Sequence, residues 1–269
     1  MKMVDINKKC PTGIPGLDEL LEGGFPRGRS ILLSGTCGTG KTTFAIQFLY
    51  NGIVQYDEPG VLVSLEQDPK ELKQDMINFG FDLKRQEDEG KLVIIDASLA
   101  RVGITKSDAA SIPTTITGQP EGSMSLLPDE FNMERILEIV ISKAKRIGAK
   151  RAVFDSLPAL DFLIRDHNEV KYTIRQMLLA VNYRLKAAGL TTLLITEIPG
   201  DGSLSAHGVE SYVTDGTIIL TLNEALDNRA IKIRKMRQTK HSLKPVTIEF
   251  TDQGMVVGGA ETEAKKKLF

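Results

Sequence analysis

The segment Gly35–Thr42, which reads G-T-C-G-T-G-K-T, constrains the fold more than any other feature of the sequence. It fits the P-loop pattern, in which two glycines separated by four residues are followed by Lys and then Ser or Thr. The apolar run 30–34 predicts a buried strand before it, and the apolar spacing of residues 42–55 predicts a helix after it. Strand, glycine-rich loop and helix together predict a nucleoside triphosphate site rather than a chance glycine-rich turn.

The chemistry of a P-loop assigns roles to its residues. Backbone N–H groups of the loop and the positive end of the helix dipole surround phosphate oxygens. The Lys41 ammonium reaches the outer phosphates, and the Thr42 hydroxyl is a ligand for Mg²⁺. The predicted phosphate contacts are Gly35, Cys37, Gly38, Thr39, Gly40, Lys41, Thr42 and Thr43.

Composition excludes several classes of protein. The 269 residues are 41% hydrophobic and 26% charged with a net charge of −1, which is ordinary for a globular protein and demands neither nucleic acid nor an anionic membrane. No apolar run is long enough to span a membrane, and the polar start 1–10 lacks the apolar core of a signal peptide. Two cysteines, Cys10 and Cys37, form no disulfide framework, so we predict a cytoplasmic protein.

Two acidic residues follow predicted strands. Glu66 comes directly after the apolar run 60–65, and a helix start with Asp68 as its cap follows at once. Asp155 ends the apolar run 151–155, which is the form of a Walker B strand, so we predict that Asp155 and Thr42 hold Mg²⁺. Because open α/β sheets bind ligands at the carboxyl ends of their strands, Glu66 is a candidate catalytic residue.

The order of predicted elements indicates the fold class. Strands and helices alternate as far as Glu197, which predicts a mostly parallel sheet flanked by helices. From residue 215 strands follow one another without helices, which predicts an antiparallel extension of the same sheet within a single domain, 1–269. The segment 103–128 is rich in Ser, Thr, Gly and Pro and predicts a mobile insertion that serves as a lid, binds a partner or is disordered. Residues 261–269 predict a frayed tail.

The motifs also resemble those of a known family. Residues 12–28 (T-G-I-P-G-L-D-E-L-L-E-G-G-F-P-R-G), 35–43, 47–52 (Q-F-L-Y-N-G), 63–66 (V-S-L-E), 154–156 (F-D-S), 207–210 (H-G-V-E) and 235–241 (K-M-R-Q-T-K-H) are similar to the pattern of the KaiC branch of the RecA superfamily. The resemblance covers nearly the whole chain apart from 103–128 and the tail. It implies a single-domain RecA-like P-loop ATPase. The family also includes a circadian-clock protein with two such domains and a phosphorylated Ser/Thr pair, and these phosphorylation sites cannot be carried over to this chain.

The resemblance implies further properties. ATP and Mg²⁺ are the expected cofactors, bound between the subunits of a homohexameric ring. Glu66 matches the carboxylate that orients the attacking water, although the family often has a second acid where this chain has Gln67. Lys235 and Arg237 match the cations that reach the neighbouring subunit's phosphates, and so join Glu66 and Lys41 as candidate catalytic residues. The other nucleotide contacts that the resemblance implies are Asn78, Lys235, Met236, Arg237, Thr239, His241 and Asp252.

Two alternatives to ATP hydrolysis stay open at the level of sequence. A DNA-binding protein of the recombinase type is favoured by six basic residues with no acid between them, Lys232, Arg234, Lys235, Arg237, Lys240 and Lys244. Such a run is usually a solvated strand face, and no aromatic residues that could stack on bases lie nearby. Autophosphorylation is the second alternative, because any nearby Ser or Thr can compete with water.

Overall fold

The computed structural model describes residues 8–97, 124–125, 133–159, 170–199 and 205–258. The helices are α1 (Leu17–Leu20), α2 (Lys41–Tyr56), α3 (Pro69–Ile77), α4 (Leu83–Asp88), α5 (Met133–Ile147), α6 (Val170–Ala187) and α7 (Glu210–Val213). The strands are β1 (Lys9–Cys10), β2 (Phe25–Pro26), β3 (Ser30–Gly35), β4 (Gly60–Ser64), β5 (Leu92–Asp96), β6 (Met124–Ser125), β7 (Arg151–Asp155), β8 (Thr191–Glu197), β9 (Gly216–Asn223), β10 (Asn228–Met236), β11 (Val246–Thr251) and β12 (Gly254–Val257).

Ten of these strands form one sheet in the order β12-β11-β10-β9-β3-β8-β7-β4-β5-β6. The strands from β9 to β6 in this order run parallel to one another. The strands β9, β10, β11 and β12 pair antiparallel at the other side. The predicted fold class is therefore confirmed: an α/β fold with a mostly parallel sheet, flanking helices and C-terminal antiparallel strands.

Successive side chains of β3, which lies inside the sheet, belong alternately to two apolar cores. Ile31 and Leu33 belong to a cluster that includes Phe44 and Phe48 of α2. Leu32 belongs to a second cluster that includes apolar residues of α5 and α6. Because successive side chains of a strand point to opposite faces, this division shows that helices cover the sheet on both sides. Within the described residues, no helix is long and apolar enough to cross a membrane.

The structure contains short elements that the sequence analysis did not predict. Among them are the pair of β1 and β2, the six-residue helix α4, the four-residue helix α7, and β6. The strand β6 lies inside the segment 103–128 and pairs with the end of β5, so two residues of this segment belong to the sheet. The rest of 103–128 and the tail 261–269 lie outside the described residues. The single-domain organisation of 1–269 stays a prediction.

Candidate functional site

Four adjacent strands bring the predicted site residues to one edge of the sheet. The strands β3, β8, β7 and β4 are neighbours in that order and run parallel, so their carboxyl ends lie side by side. Gly35 ends β3, Glu197 ends β8 and Asp155 ends β7, whereas Glu66 follows β4. The P-loop and all three carboxylates therefore share the edge at which such sheets bind ligands.

The P-loop itself connects β3 with the 16-residue helix α2. Gly40 precedes the helix with a φ of 89°, a left-handed conformation that favours glycine. A Cβ atom at this position would lie 2.3 Å from Cζ of Phe250, so the packing also excludes a side chain. The Lys41 ammonium donates hydrogen bonds to the carbonyl oxygens of Gly35 (2.9 Å) and Thr36 (2.8 Å). The cation is thus held over the loop in which phosphate would bind.

Thr42 and Asp155 form a pair of oxygen ligands beside the loop. The Thr42 hydroxyl donates a 2.8 Å hydrogen bond to Oδ2 of Asp155. Burial, with the charges of Glu66 and Glu197, raises the pKa of Asp155 to about 6 against the opposing effects of Thr42 and Lys41. A carboxylate in this setting is stabilised by a cation, and hard oxygen donors suit Mg²⁺, which takes its remaining ligands from water and substrate phosphates. The residues therefore fit the metal that the sequence predicts.

Replacing Asp155 with asparagine should stabilise the metal-free protein at pH 7.5. The pKa of Asp155 is raised in the folded chain, so its contribution to the free energy of unfolding is complete below pH 4 and is lost as the pH rises through about 6. At pH 7.5 the buried charge costs roughly 1–3 kcal/mol. The neutral amide of asparagine avoids this cost, while its oxygen can still accept the hydrogen bond from Thr42.

Urea unfolding of the parent protein and of Asp155→Asn at pH 5 and pH 7.5 measures this effect. The control is Asp88→Asn, a change of the same kind at an exposed position. The variant should be more stable than the parent at pH 7.5, and about half of this difference should remain at pH 5, where the unfolded chain is already ionised at this position and the folded chain is still mostly protonated. Calorimetric titration should show that it has lost Mg²⁺ binding. A variant less stable than the parent at pH 7.5 would contradict the proposed burial cost.

Glu66 is exposed and is held in place by a neighbouring strand end. The hydroxyl of Ser156 donates a 2.7 Å hydrogen bond to Oε1 of Glu66. Gln67, which stands where the family often has a second acid, turns its amide to Asp75 of α3 at 2.7 Å. Of the adjacent residues Glu66 and Gln67, only Glu66 carries a carboxylate, and Ser156 orients it.

The antiparallel strands β10 and β11 contribute two residues to the surroundings of the P-loop that were not predicted from the sequence, Arg229 and Phe250. Nε of Arg229 donates to the carbonyl oxygen of Gly38 in the P-loop at 3.1 Å. The same guanidinium lies 5.2 Å from the ring centroid of Phe250, whose ring packs against Gly40. The start of β10 reaches the loop because it pairs with the end of β9, which in turn pairs with the end of β3.

The remaining predicted nucleotide contacts fall into two separate groups. Asn78 follows α3, and Asp252 lies between β11 and β12. Asp252 and Phe79 line one cavity of about 290 Å³, and the Phe79 ring lies 6.2 Å from that of Phe250. Asp252 is therefore connected to the P-loop through Phe79 and Phe250. That Asn78 and Asp252 contact the nucleotide stays a prediction.

The second group lies at the opposite end of the sheet. Met236 of β10 pairs with Gly216 of β9, and Gly216 pairs with Ile31 of β3, four residues before the P-loop begins at Gly35. Four residues of strand span roughly 13 Å. Lys235 and Arg237 flank Met236, so both cations lie far from the phosphate loop of their own chain.

The other members of the second group differ in what they can offer a ligand. The Met236 side chain is buried and packs where a Gly216 side chain would be. Thr239 accepts a 2.6 Å hydrogen bond from the Lys9 ammonium, and its carbonyl oxygen lies 3.1 Å from Nδ1 of His241. Met236 can therefore contact a ligand only through its backbone. Thr239 and His241 belong to a loop that is hydrogen-bonded to Lys9 in the N-terminal segment.

A P-loop between β3 and the long helix α2, acids at the carboxyl ends of the next three parallel strands, and an antiparallel C-terminal extension together define a P-loop nucleoside triphosphatase fold of the RecA type. The sequence model of the KaiC ATPase family matches residues 10–262. This chain belongs to the KaiC family.

Relatives and a solved structure agree with this assignment. The chain is 35% identical to the UPF0273 protein MJ1359 of Methanocaldococcus jannaschii over 254 residues, covering 93% of this chain and 96% of that protein. It is similar in structure to the KaiC-like protein PH0186 of Pyrococcus horikoshii, with a TM-score of 0.74, 38% identity and coverage of 93% and 98% of the two chains.

The circadian clock oscillator protein KaiC of Acaryochloris marina is 35% identical over 250 residues. This match covers 92% of the present chain but 43% of the clock protein. The chain therefore spans less than half the length of the clock proteins that it matches.

Proposed function

We propose that this chain binds and hydrolyses ATP at a site that a second copy of the chain completes, within a ring that we expect to be hexameric. The observation that carries the proposal is the separation of the predicted nucleotide contacts into two groups at opposite ends of one sheet. Phosphates bound at the P-loop would lie roughly 13 Å from the cations of the same chain, too far for direct contact. A single nucleotide can touch the P-loop of one subunit and the cations of the next in a head-to-tail ring.

The P-loop side of the site would bind the nucleotide. Backbone N–H groups of the loop surround the phosphates, and Lys41 leaves its carbonyl partners to contact them. Thr42 and Asp155 would hold Mg²⁺, which neutralises phosphate charge when it is bound. Glu66 accepts a hydrogen bond from the attacking water and orients it towards the γ-phosphate, with Ser156 fixing the carboxylate.

The cation side of the site would come from the neighbouring subunit. Lys235 and Arg237 would contact the phosphates, and the planar guanidinium of Arg237 suits bidentate binding to their oxygens. A cation that meets the charge developing in the transition state accelerates phosphoryl transfer by orders of magnitude. Hydrolysis would therefore require assembly.

The described contacts favour this proposal over nucleic-acid binding. In the basic run 232–244, Lys235 donates to the carbonyl oxygens of Ser211 and Thr214, and Arg237 pairs with Asp215. Two of the six cations are thus placed at one end of the sheet rather than along a continuous face.

The free cysteines, Cys10 and Cys37, agree with the cytoplasmic location that we propose.

Mixing two inactive variants tests the shared site. Glu66→Gln removes the water-orienting carboxylate, and Arg237→Ala removes the cation that serves the neighbour, so each homogeneous ring should retain only a small part of the parent turnover. In a randomly mixed ring about one interface in four combines an intact Glu66 with an intact Arg237. The mixture should therefore regain part of the ATP turnover of the parent protein.

Native mass spectrometry with and without ATP supplies the controls for this test. It should show a ring, and it should show that the two variants exchange subunits. A mixture that exchanges subunits but stays inactive would overturn the proposed site between subunits.

A further inference from the structure

A buried carboxylate lies directly behind the cation that we assign to the neighbouring subunit's nucleotide. The side chain of Asp215, next to the start of β9, has no exposed surface. Its oxygens are 3.2 Å from Arg237, 3.4 Å from Arg29 and 2.5 Å from Lys186. The backbone holds the residue as well, because its N–H donates to the carbonyl oxygen of Ser30 and its carbonyl oxygen accepts from the N–H of Arg237.

The charge state of Asp215 suits this role. Burial alone would raise the pKa of its carboxyl, but the hydrogen bond and charge of Lys186, with the charge of Arg29, outweigh burial and hold the pKa below its usual range. Asp215 is therefore ionised at neutral pH. A charged hydrogen bond from a guanidinium to such a carboxylate is stronger than a neutral one.

The same segment of chain also binds the second cation. The ammonium of Lys235 donates to the carbonyl oxygens of Ser211 (3.0 Å) and Thr214 (2.6 Å), at the end of α7. Burial lowers the pKa of Lys235, and the charge of Arg237 lowers it further. Segment 211–215 thus binds both Lys235 and Arg237 at one surface. A bulge between Ile233 and Lys235 shifts the pairing of β10 with β9 just before these two cations.

Arg237 nevertheless remains accessible to a further anion. Its side chain is 56% exposed, and its contact with Asp215 is made through one terminal nitrogen of a group that has five N–H donors. Four cations, Arg29, Lys186, Lys235 and Arg237, surround the one carboxylate of Asp215. This cluster keeps a surplus of positive charge at the surface, which suits a polyanion such as a bound triphosphate.

We propose that Asp215 is a positioning residue, which holds Arg237 ready for the phosphates of the neighbouring subunit's nucleotide. The inference rests on the proposed function, in which Arg237 acts across the interface. A free arginine side chain loses rotamer entropy when it is immobilised. Fixing the guanidinium in advance on Asp215 removes part of this cost from the catalytic step.

Asp215→Asn tests the proposal, because the amide keeps the shape of the side chain and loses its charge. The affinity for ATP should stay within about two-fold of the parent, since Asp215 lies beside Ser30 at the other end of β3 from the P-loop. We expect turnover to fall at least about ten-fold, the scale for misplacing a group that acts in the transition state. The exposed change Asp88→Asn is the matched control and should leave turnover unchanged.

Mixing experiments separate a positioning role from a purely structural one. Asp215→Asn and Arg237→Ala damage the same side of an interface, so their mixture should be no more active than the average of the two homogeneous variants. Asp215→Asn and Glu66→Gln damage opposite sides, so their mixture should regain activity. Normal turnover of Asp215→Asn, or recovery in its mixture with Arg237→Ala, would overturn the inference. Failure of Glu66→Gln mixed with Arg237→Ala would instead overturn the proposed function, and the inference with it.

A second variant covers the case in which Asp215→Asn does not fold. Removing the carboxylate leaves Lys186 partly buried without its partner, so the double change Asp215→Asn with Lys186→Met removes both charges. Its thermal unfolding midpoint should exceed that of the single variant, while turnover stays low because Arg237 still lacks its support. Turnover that returns together with stability would show that Asp215 serves the fold alone.

Discussion

Lys41→Ala is expected to lower the affinity for ATP by at least about a hundred-fold, the scale for losing a charge-assisted hydrogen bond to phosphate together with its Coulomb attraction. Lys41 is the side-chain cation at the start of α2, and it already lies over the loop, bonded to the carbonyl oxygens of Gly35 and Thr36. These bonds are exchanged for phosphate when the nucleotide enters. Alanine leaves the helix dipole and the loop N–H groups, which bind phosphate too weakly alone.

Fluorescent-ATP titration measures this loss, and thermal unfolding in the absence of nucleotide checks that the fold persists. Lys70→Ala, at an exposed position in the first turn of α3, is the control and should bind ATP normally. If Lys41→Ala binds ATP within a few-fold of the parent affinity, the assignment of this loop as the phosphate site is wrong.

The sequence was sufficient for the fold class because its signals are local and repeat along the chain. Apolar runs with a helix between them predict parallel strands, and four strands without helices after residue 215 predict the antiparallel extension. Both predictions are confirmed by the order of strands in the sheet. The helix α4 was missed because six residues are too few to show a helical period, even though Asp82 caps it by accepting from the N–H of Arg85.

The site was predictable only where its residues are close in sequence or end a strand. The P-loop, Glu66 and Asp155 carry such signals. Arg229 and Phe250 reach the P-loop through the register of the C-terminal hairpin, and nothing around them in the sequence indicates that contact. A register argument could have found Arg229, because the first residues of β10 must lie opposite the last residues of β9.

Asp215 illustrates the same limit for charge. In the sequence it is an acid at the start of a predicted strand, for which a surface position is the usual expectation. In the structure it is buried because three cations from separate elements, Arg29, Lys186 and Arg237, converge on it. Convergence of this kind depends on tertiary packing, which periodicity does not report.

Glu66→Gln should leave ATP bound and slow its hydrolysis by roughly a hundred-fold or more, the scale for losing a positioned base. The change is conservative in shape, because the amide oxygen of glutamine can still accept the hydrogen bond that Ser156 donates to Glu66. What is lost is the negative charge that polarises the attacking water. Single-turnover measurements with saturating ATP isolate this step from binding and from product release.

Two further variants decide whether the effect belongs to Glu66. Gln67→Ala should leave turnover within a few-fold of the parent, because the Gln67 amide donates its hydrogen bond to Asp75 on α3. Glu197→Gln tests a second candidate among the three acids at this edge; Glu197 ends β8 beside the last residue of β3. If Glu66→Gln hydrolyses ATP at the parent rate and Glu197→Gln does not, the water-orienting carboxylate is Glu197, and Glu66 is only a residue at the end of a strand.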